Sequence, residues 1–267
     1  MIPPQPMEQN VSVEVEQARS CSAEDISALL YSPSEPVLAA LLQNPRLKEV
    51  HVRALLERRD LKGALLEQIA VRKDWVREPG LRRCLVAHLH MPSRVAMKLA
   101  RDLEVMDLAA ISLQSSVPAP VRRFADDLLL RRIAQLPLGQ KLALARRGPG
   151  RVAGELLPGG DERIARAALD NVHLTEAQLL RALASEKLTA GTLSVIASHA
   201  KWGCFGAVRA ALVRHPHAPL ERVLSFLPDL PLPELRQLCT ATDLRASLRR
   251  AIRCEMEERA ARQSSTR

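Results

Sequence analysis

The sequence predicts an all-α protein, a superhelix of short stacked helices, and three observations support this fold class. Aromatic residues make up only 2% of the 267 residues, fewer than a β-sandwich or barrel normally carries. From Ser22 onward, apolar side chains recur with the 3.6-residue period of an α-helix. Pro, Gly and Asn return about every 12 to 20 residues and mark the turns between helices.

The chain matches itself at a 127-residue offset. Segment 37–122 lies on segment 164–249 without a gap, and 22 of the 86 aligned positions are identical. The only two tryptophans of the chain, Trp75 and Trp202, fall on each other in this comparison. Because chance does not readily align both, we interpret the match as an internal duplication.

A shorter repeat lies inside each duplicated segment. Similar strings, with apolar or small residues along one stripe of a helix, begin at Val37, Leu81, Val121, Ile164 and Val208. Their starts are 44, 40, 43 and 44 residues apart. Units of about 40 to 47 residues are the size of HEAT or armadillo repeats, which stack because no unit buries its apolar face alone. The sequence thus predicts about five degenerate units of 40–44 residues.

One string carries a family resemblance. VRAALVRHPHAPLERVLSFLPDL, at 208–230, resembles bacterial HEAT-like and variant leucine-rich repeats, in which a Val-Arg helix leads through an Asn-Pro turn into a Leu-rich helix. The resemblance implies a HEAT-like α-solenoid. Variant leucine-rich repeat proteins can carry a cysteine-ligated iron–sulfur cluster ahead of the repeats. Only Cys21 lies in that region here, so no cluster is expected.

The ends of the chain differ from its body. Residues 1–20 hold three prolines and no helical period, so we expect a disordered acidic tail. The solenoid is expected over 21–260, followed by a disordered tail at 261–267. The N-terminus lacks the features of a signal peptide, and no apolar stretch approaches the roughly 18 residues of a membrane span. Five scattered cysteines without a C-x-x-C spacing indicate free thiols in a reducing compartment, and a cytoplasmic protein is expected.

Two His-x-His pairs raise the possibility of a metal site. They are His88-x-His90 and His215-x-His217, and paired imidazoles suit zinc. However, the first histidine of each pair occupies the helix-end position at which two of the other units carry an asparagine, Asn44 and Asn171. There a polar side chain can bond the free carbonyl groups of a helix end, so we favour a capping role and expect no metal.

The paired acids Asp126-Asp127 and Asp161-Glu162 are candidates for general acid–base chemistry. Neither pair has a histidine at a fixed spacing, and both lie at predicted helix surfaces or starts. The phosphate-loop, dinucleotide-binding and nucleophile-elbow motifs do not occur in the sequence. We therefore expect no catalytic residue and no cofactor.

The matched tryptophans, Trp75 and Trp202, have two interpretations. Tryptophan is enriched at binding hot spots, so they could contact a partner. Their matching positions, each between an apolar helix and the next Val-Arg helix, favour packing between repeats.

Basic residues are the remaining candidates for function. The net charge is +9, and residues 1–30 carry −4, so the rest of the chain carries +13. Arginines recur just after the start of the repeated helix, at Arg82, Arg83, Arg122, Arg123, Arg166 and Arg209. In a solenoid these positions would align into a ridge. The ridge could be a solvated face, the site of an acidic protein partner, or a track for a phosphate backbone.

The sequence leads to two functional hypotheses. We favour a non-enzymatic scaffold that presents a helical-repeat surface to another protein. The alternative is a nucleic-acid-binding protein that contacts phosphates through the arginine ridge. The scarcity of aromatic residues disfavours base stacking, and with it single-stranded or base-specific recognition.

Overall fold

A computed structural model of the chain describes residues 6–240 and 244–265. Within these ranges the backbone forms nineteen α-helices and four 3₁₀ turns, with no β-strand. The all-α class predicted from the sequence is confirmed. The chain divides into two compact units, Met1–Leu129 (unit 1) and Leu130–Arg267 (unit 2).

Ten helices begin in unit 1, and most of them are short. They are α1 (Pro6–Ser20), α2 (Ala23–Leu29), α3 (Glu35–Leu41), α4 (Glu49–Leu56), α5 (Gly63–Val71), α6 (Lys73–Arg77), α7 (Pro79–Ala87), α8 (Ser93–Ala100), α9 (Val105–Leu113) and α10 (Ala119–Arg132). The boundary between the units lies within α10.

Nine further helices belong to unit 2. They are α11 (Leu138–Arg147), α12 (Gly150–Leu156), α13 (Glu162–Leu169), α14 (Glu176–Leu183), α15 (Ala190–Ser198), α16 (Gly206–Arg214), α17 (Leu220–Phe226), α18 (Leu232–Thr240) and α19 (Ala246–Ser265). The four 3₁₀ turns are Ile133–Gln135, Leu157–Gly159, Trp202–Cys204 and Leu227–Asp229.

Helix bounds in the two units recur at the 127-residue offset of the sequence match. Both bounds agree, residue for residue, for α2 and α12, α4 and α14, α5 and α15, α7 and α16, and α9 and α18. A clear departure is α6, whose equivalent segment in unit 2 contains the 3₁₀ turn Trp202–Cys204. A Cβ atom on Gly203 would lie 2.5 Å from the carbonyl oxygen of Ala197, so this turn packs more closely than a valine would allow.

Within each unit, helices pack on near neighbours along the chain. In unit 1, α1 contacts α3, α3 contacts α5, α4 contacts α7, and α7 contacts α9. The equivalent pairs in unit 2 are α11 with α13, α13 with α15, α14 with α16, and α16 with α18. Each core consists mainly of Leu, Ala, Val and Ile, and these small side chains let the helices approach closely.

The ends of the chain depart from the sequence expectation. Residues 6–20 form α1 rather than a disordered tail, and Ala18 is fully buried where α1 packs against α3. Helix α19 likewise continues to Ser265, past the expected end of the fold at 260. The parts of the expected tails at 1–5 and 266–267 lie outside the described residues. Within the described part of the chain, every helix is too short or too polar to cross a lipid bilayer.

Candidate functional site

The histidine pairs hold helix ends together. Nε2 of His88 lies 2.7 Å from the carbonyl oxygen of Arg58, and Nε2 of His215 lies 3.1 Å from that of Ser185. In both rings Nδ1 accepts the backbone N–H two residues later. A carbonyl must receive a hydrogen and an N–H must donate one, so these contacts assign the neutral Nε2–H tautomer. Both nitrogens of each ring thus serve the backbone.

The acid pairs also have structural partners. The Asp161 carboxylate caps the N-terminus of α13, where it accepts the backbone N–H of Arg163 at 2.8 Å. The hydrogen bond from the Arg163 side chain is the main reason that the pKa of Asp161 lies below its ordinary value. Asp126 accepts a short hydrogen bond from the Ser112 hydroxyl. Within the described residues, the structure contains no group of three or more His, Cys, Asp or Glu side chains suited to a metal ion.

Both tryptophans lie in the packed interior of their units. Trp202 is 2% exposed, and its indole N–H donates to the carbonyl oxygen of Leu169 at 2.9 Å. Trp75 is 9% exposed, with the guanidinium carbon of Arg72 4.7 Å from its ring centroid. The rings serve packing, the interpretation that the sequence favours.

Two of the recurrent arginines form matching internal hydrogen bonds. Nε of Arg82 donates to the carbonyl oxygen of Val76 at 2.9 Å, and Nε of Arg209 donates to that of Gly203 at 2.6 Å. Arg209 also pairs with the Asp229 carboxylate at 2.8 Å, with 18% of its side chain exposed. These guanidinium groups brace helix ends within their own unit.

Two more recurrent arginines form ion pairs at the surface. Arg83 lies 3.3 Å from Asp107, and Arg166 lies 3.0 Å from Glu162 on the same helix. Neighbouring carboxylates therefore offset part of the positive charge that these positions would offer to a phosphate.

The six recurrent arginines of the expected ridge differ in their exposure. Arg82, Arg122 and Arg209 are half-buried, whereas Arg83, Arg123 and Arg166 are exposed. For Arg82 and Arg209 the reason is that the side chain reaches back over the turn before its helix, where a carbonyl oxygen accepts its hydrogen bond. Recurrence along the chain identified equivalent positions, but not positions open to solvent.

Unit 1 contains a concave surface among its described residues. It has a volume of about 680 Å³ and lies between α5, α6 and α8. Its apolar lining consists of Ala70, Val71, Val76, Val95 and Leu99. Its charged lining consists of Lys73, Arg77, Arg94, Lys98, Glu67 and Asp102. We call this surface the unit 1 groove.

The four cationic side chains of the unit 1 groove are exposed and form no hydrogen bond or ion pair with any described residue. They are Lys73, Arg77, Arg94 and Lys98. Four cations against two carboxylates, Glu67 and Asp102, give the lining a net charge of +2. In contrast to the bonded arginines, these side chains are free to meet an external group.

The lining of the unit 1 groove is not repeated in unit 2. At the 127-residue offset, its four cationic positions become Ala200, Cys204, Glu221 and Ser225. Val76, which lines the groove, becomes Gly203 in the closely packed 3₁₀ turn. The cationic lining of the groove is therefore specific to unit 1.

Sequence reasoning missed these four cations because they do not recur between units. A signal was present: Lys73 and Arg77 are four residues apart, as are Arg94 and Lys98, so each pair lies along one helix face. Val95 and Leu99 follow the second pair directly and share its spacing. An apolar stripe beside a cationic stripe is what an amphipathic binding surface requires.

Comparison with known proteins gave no match to a protein-family model, to a curated protein or to a solved structure.

Proposed function

We propose that the chain is a non-enzymatic scaffold of HEAT-like repeats, internally duplicated, that binds another protein through the unit 1 groove. Three structural features support the repeat assignment: helix bounds that recur at the offset of the self-match, equivalent helix pairs in contact, and equivalent side chains that cap helix ends. Packing between near neighbours along the chain is typical of repeat proteins.

The observation that carries the proposal is that the groove cations lack partners among the described residues, whereas most of the other candidate residues are bonded within their own unit. The histidines, tryptophans and recurrent arginines singled out by the sequence mostly contact their own unit. The unit 1 groove combines apolar side chains with cations that have no described partner. Protein interfaces have this composition, with an apolar centre and a polar rim.

A pair of matched variants tests the scaffold function. Val71 lines the groove and is 79% exposed, whereas Val50 is 72% exposed and is not part of the lining. Because both side chains are already in solvent, neither Val71→Asp nor Val50→Asp should unfold the protein. We expect the wild type and V50D to capture the same protein from an extract of the source cells, and V71D to lose it.

Two controls complete this experiment. Nuclease treatment of the extract should leave the captured protein unchanged, since the proposal involves no nucleic acid. Equal capture by V71D and V50D would refute binding at the groove. Absence of any captured protein with the wild type, confirmed by chemical cross-linking before lysis, would refute the scaffold function itself.

Duplex DNA tests the alternative function. If the chain binds nucleic acid through phosphate contacts, its affinity for duplex DNA should be submicromolar. That affinity should fall steeply as the salt concentration rises. We expect only weak non-specific binding at about 150 mM salt, with Kd of roughly 10⁻⁴ to 10⁻⁶ M. Fluorescence anisotropy measures this directly, and tight salt-sensitive binding would favour the alternative.

A further inference from the structure

We infer that the unit 1 groove binds an amphipathic acidic helix of the partner protein, an inference that rests on the proposed scaffold function. The occupant would place apolar side chains on the groove floor and carboxylates against its cations. Its chemistry follows from the shape, charge and spacing of the lining.

The volume and lining of the groove fit apolar side chains. A volume of about 680 Å³ falls within the roughly 300–1,000 Å³ of protein ligand pockets. Val71, Val76 and Val95 come from three different helices and converge on it. Covering the exposed Val71 would remove apolar surface from water, which favours binding by about 25 cal/mol per Å² buried.

The charges of the groove select an acidic partner. The side chains of Lys73, Arg77, Arg94 and Lys98 have no internal carboxylate within ion-pair distance among the described residues. A basic partner would meet a net charge of +2 and would be repelled, whereas carboxylates would complete four unpaired cations. Complementary charge at the rim of an interface raises specificity and the rate of association.

The spacing of the cations favours a helical partner. Lys73 and Arg77 are four residues apart on α6, and Arg94 and Lys98 are four residues apart on α8. Four residues of α-helix rise about 6 Å. Carboxylates four residues apart on a partner helix reproduce that spacing, and leucines on the same face would enter the groove, as in other helix-in-groove complexes.

Synthetic peptides of defined sequence test the inference on the full chain. The probe is a fluorescein-labelled helical peptide with leucines at i, i+4 and i+7 on one face and glutamates four residues apart beside them. One control peptide replaces the glutamates with lysines, and another replaces the leucines with alanines. We expect the acidic leucine peptide to bind the wild type at least about tenfold more tightly than either control, a difference of about 1.4 kcal/mol.

Matched charge variants locate the binding. The double variant Arg94→Glu, Lys98→Glu reverses two groove cations, whereas Arg59→Glu, Arg123→Glu reverses two exposed unit 1 arginines outside the lining. Both pairs change the net charge equally. The groove variant should lose affinity for the acidic peptide roughly tenfold or more and gain affinity for the lysine peptide, while the control variant should behave as the wild type. Circular dichroism spectra of both variants establish that they are folded.

Each outcome separates the inference from the proposed function. If acidic and basic peptides bind equally, or if both charge variants lose affinity equally, the acidic-helix inference is wrong. If the peptides fail to bind but cellular capture still depends on Val71, the scaffold function stands with a partner of different chemistry. Failure of both capture and peptide binding would remove the function and the inference together.

Discussion

Asn171 in unit 2 forms the same buried contacts as Asn44 in unit 1. Nδ2 of Asn44 donates to the carbonyl oxygen of Ala18 at 3.0 Å, and Nδ2 of Asn171 donates to that of Ala145 at 2.8 Å. The side-chain oxygen of each accepts the backbone N–H two residues later, at 2.9 and 2.7 Å. Each asparagine thus joins its own turn to the end of an earlier helix, and His88 and His215, each 44 residues further along the chain, have the equivalent role.

Replacing Asn44 should therefore destabilise the protein. Asn44→Ala leaves a backbone N–H and a helix-end carbonyl without their partner, which costs about 1–3 kcal/mol when the groups stay buried. Chemical denaturation followed by circular dichroism measures the free energy of unfolding. The control is Gln43→Ala, an exposed neighbour that should change it by less than about 0.5 kcal/mol. Equal effects of the two variants would contradict the bridging role.

Substitutions at His88 can separate its two hydrogen bonds, the one to the carbonyl oxygen of Arg58 and the one from the backbone N–H of His90. Asparagine at this position keeps an acceptor close to that of Nδ1 but is too short to reach the carbonyl oxygen of Arg58. His88→Ala should cost about 1–3 kcal/mol, and His88→Asn roughly half as much. The same denaturation experiment measures both, and equal losses would show that the N–H contact contributes nothing.

The helical class of the chain was predictable from the sequence because Leu- and Ala-rich stretches and turn residues mark helices and turns locally. Helix α1 was not predictable in this way. Across residues 6–20, only Ala18 and Arg19 are identical to the residues 127 positions later. The similarity between the two halves of the sequence is therefore too weak to indicate α1. The helix is defined by its packing against α3 and by the hydrogen bond to Asn44, and both depend on tertiary structure.

The candidate site was less predictable than the fold. A recurrent arginine identifies a helix position, but whether its guanidinium meets solvent or a carbonyl depends on the turn before it, as in Arg82. The unit 1 groove requires Val71, Val76 and Val95 to converge from three helices, a placement that no local pattern specifies.

Arg209 provides a test of structural against electrostatic roles for the recurrent arginines. Its guanidinium donates to the carbonyl oxygen of Gly203 and to the carboxylate of Asp229 at the same time. A lysine keeps the positive charge but lacks the planar guanidinium that reaches both groups. Arg209→Lys should lower the free energy of unfolding by about 1–2 kcal/mol. Arg123→Lys, at an exposed position, should change it by less than about 0.5 kcal/mol. If Arg209→Lys leaves the free energy of unfolding unchanged, Arg209 contributes only a surface charge.

Zinc should not stabilise the protein. Coordination by His88 or His215 would require a ring nitrogen that now contacts the backbone, and the cost of freeing it opposes binding. Excess zinc is therefore expected to leave the melting temperature unchanged, and elemental analysis of the purified protein should find no stoichiometric metal. One metal ion per chain, lost in His88→Ala, would overturn the capping assignment.

The five free cysteines should differ in their reaction with a thiol reagent. Cys204 and Cys254 are exposed, whereas Cys21 is half-buried beside Asn44. Burial is the main reason that the pKa of the Cys21 thiol lies above its ordinary value, and the hydrogen bond from Asn44 only partly opposes it. Because the thiolate is the reactive form, Cys21 should react more slowly than the two exposed thiols at the same mildly alkaline pH.

Mass spectrometry of timed samples assigns each site, and in denaturant the difference should vanish. Fast modification of Cys21 in the native protein would show that the contact between α1 and Asn44 opens readily.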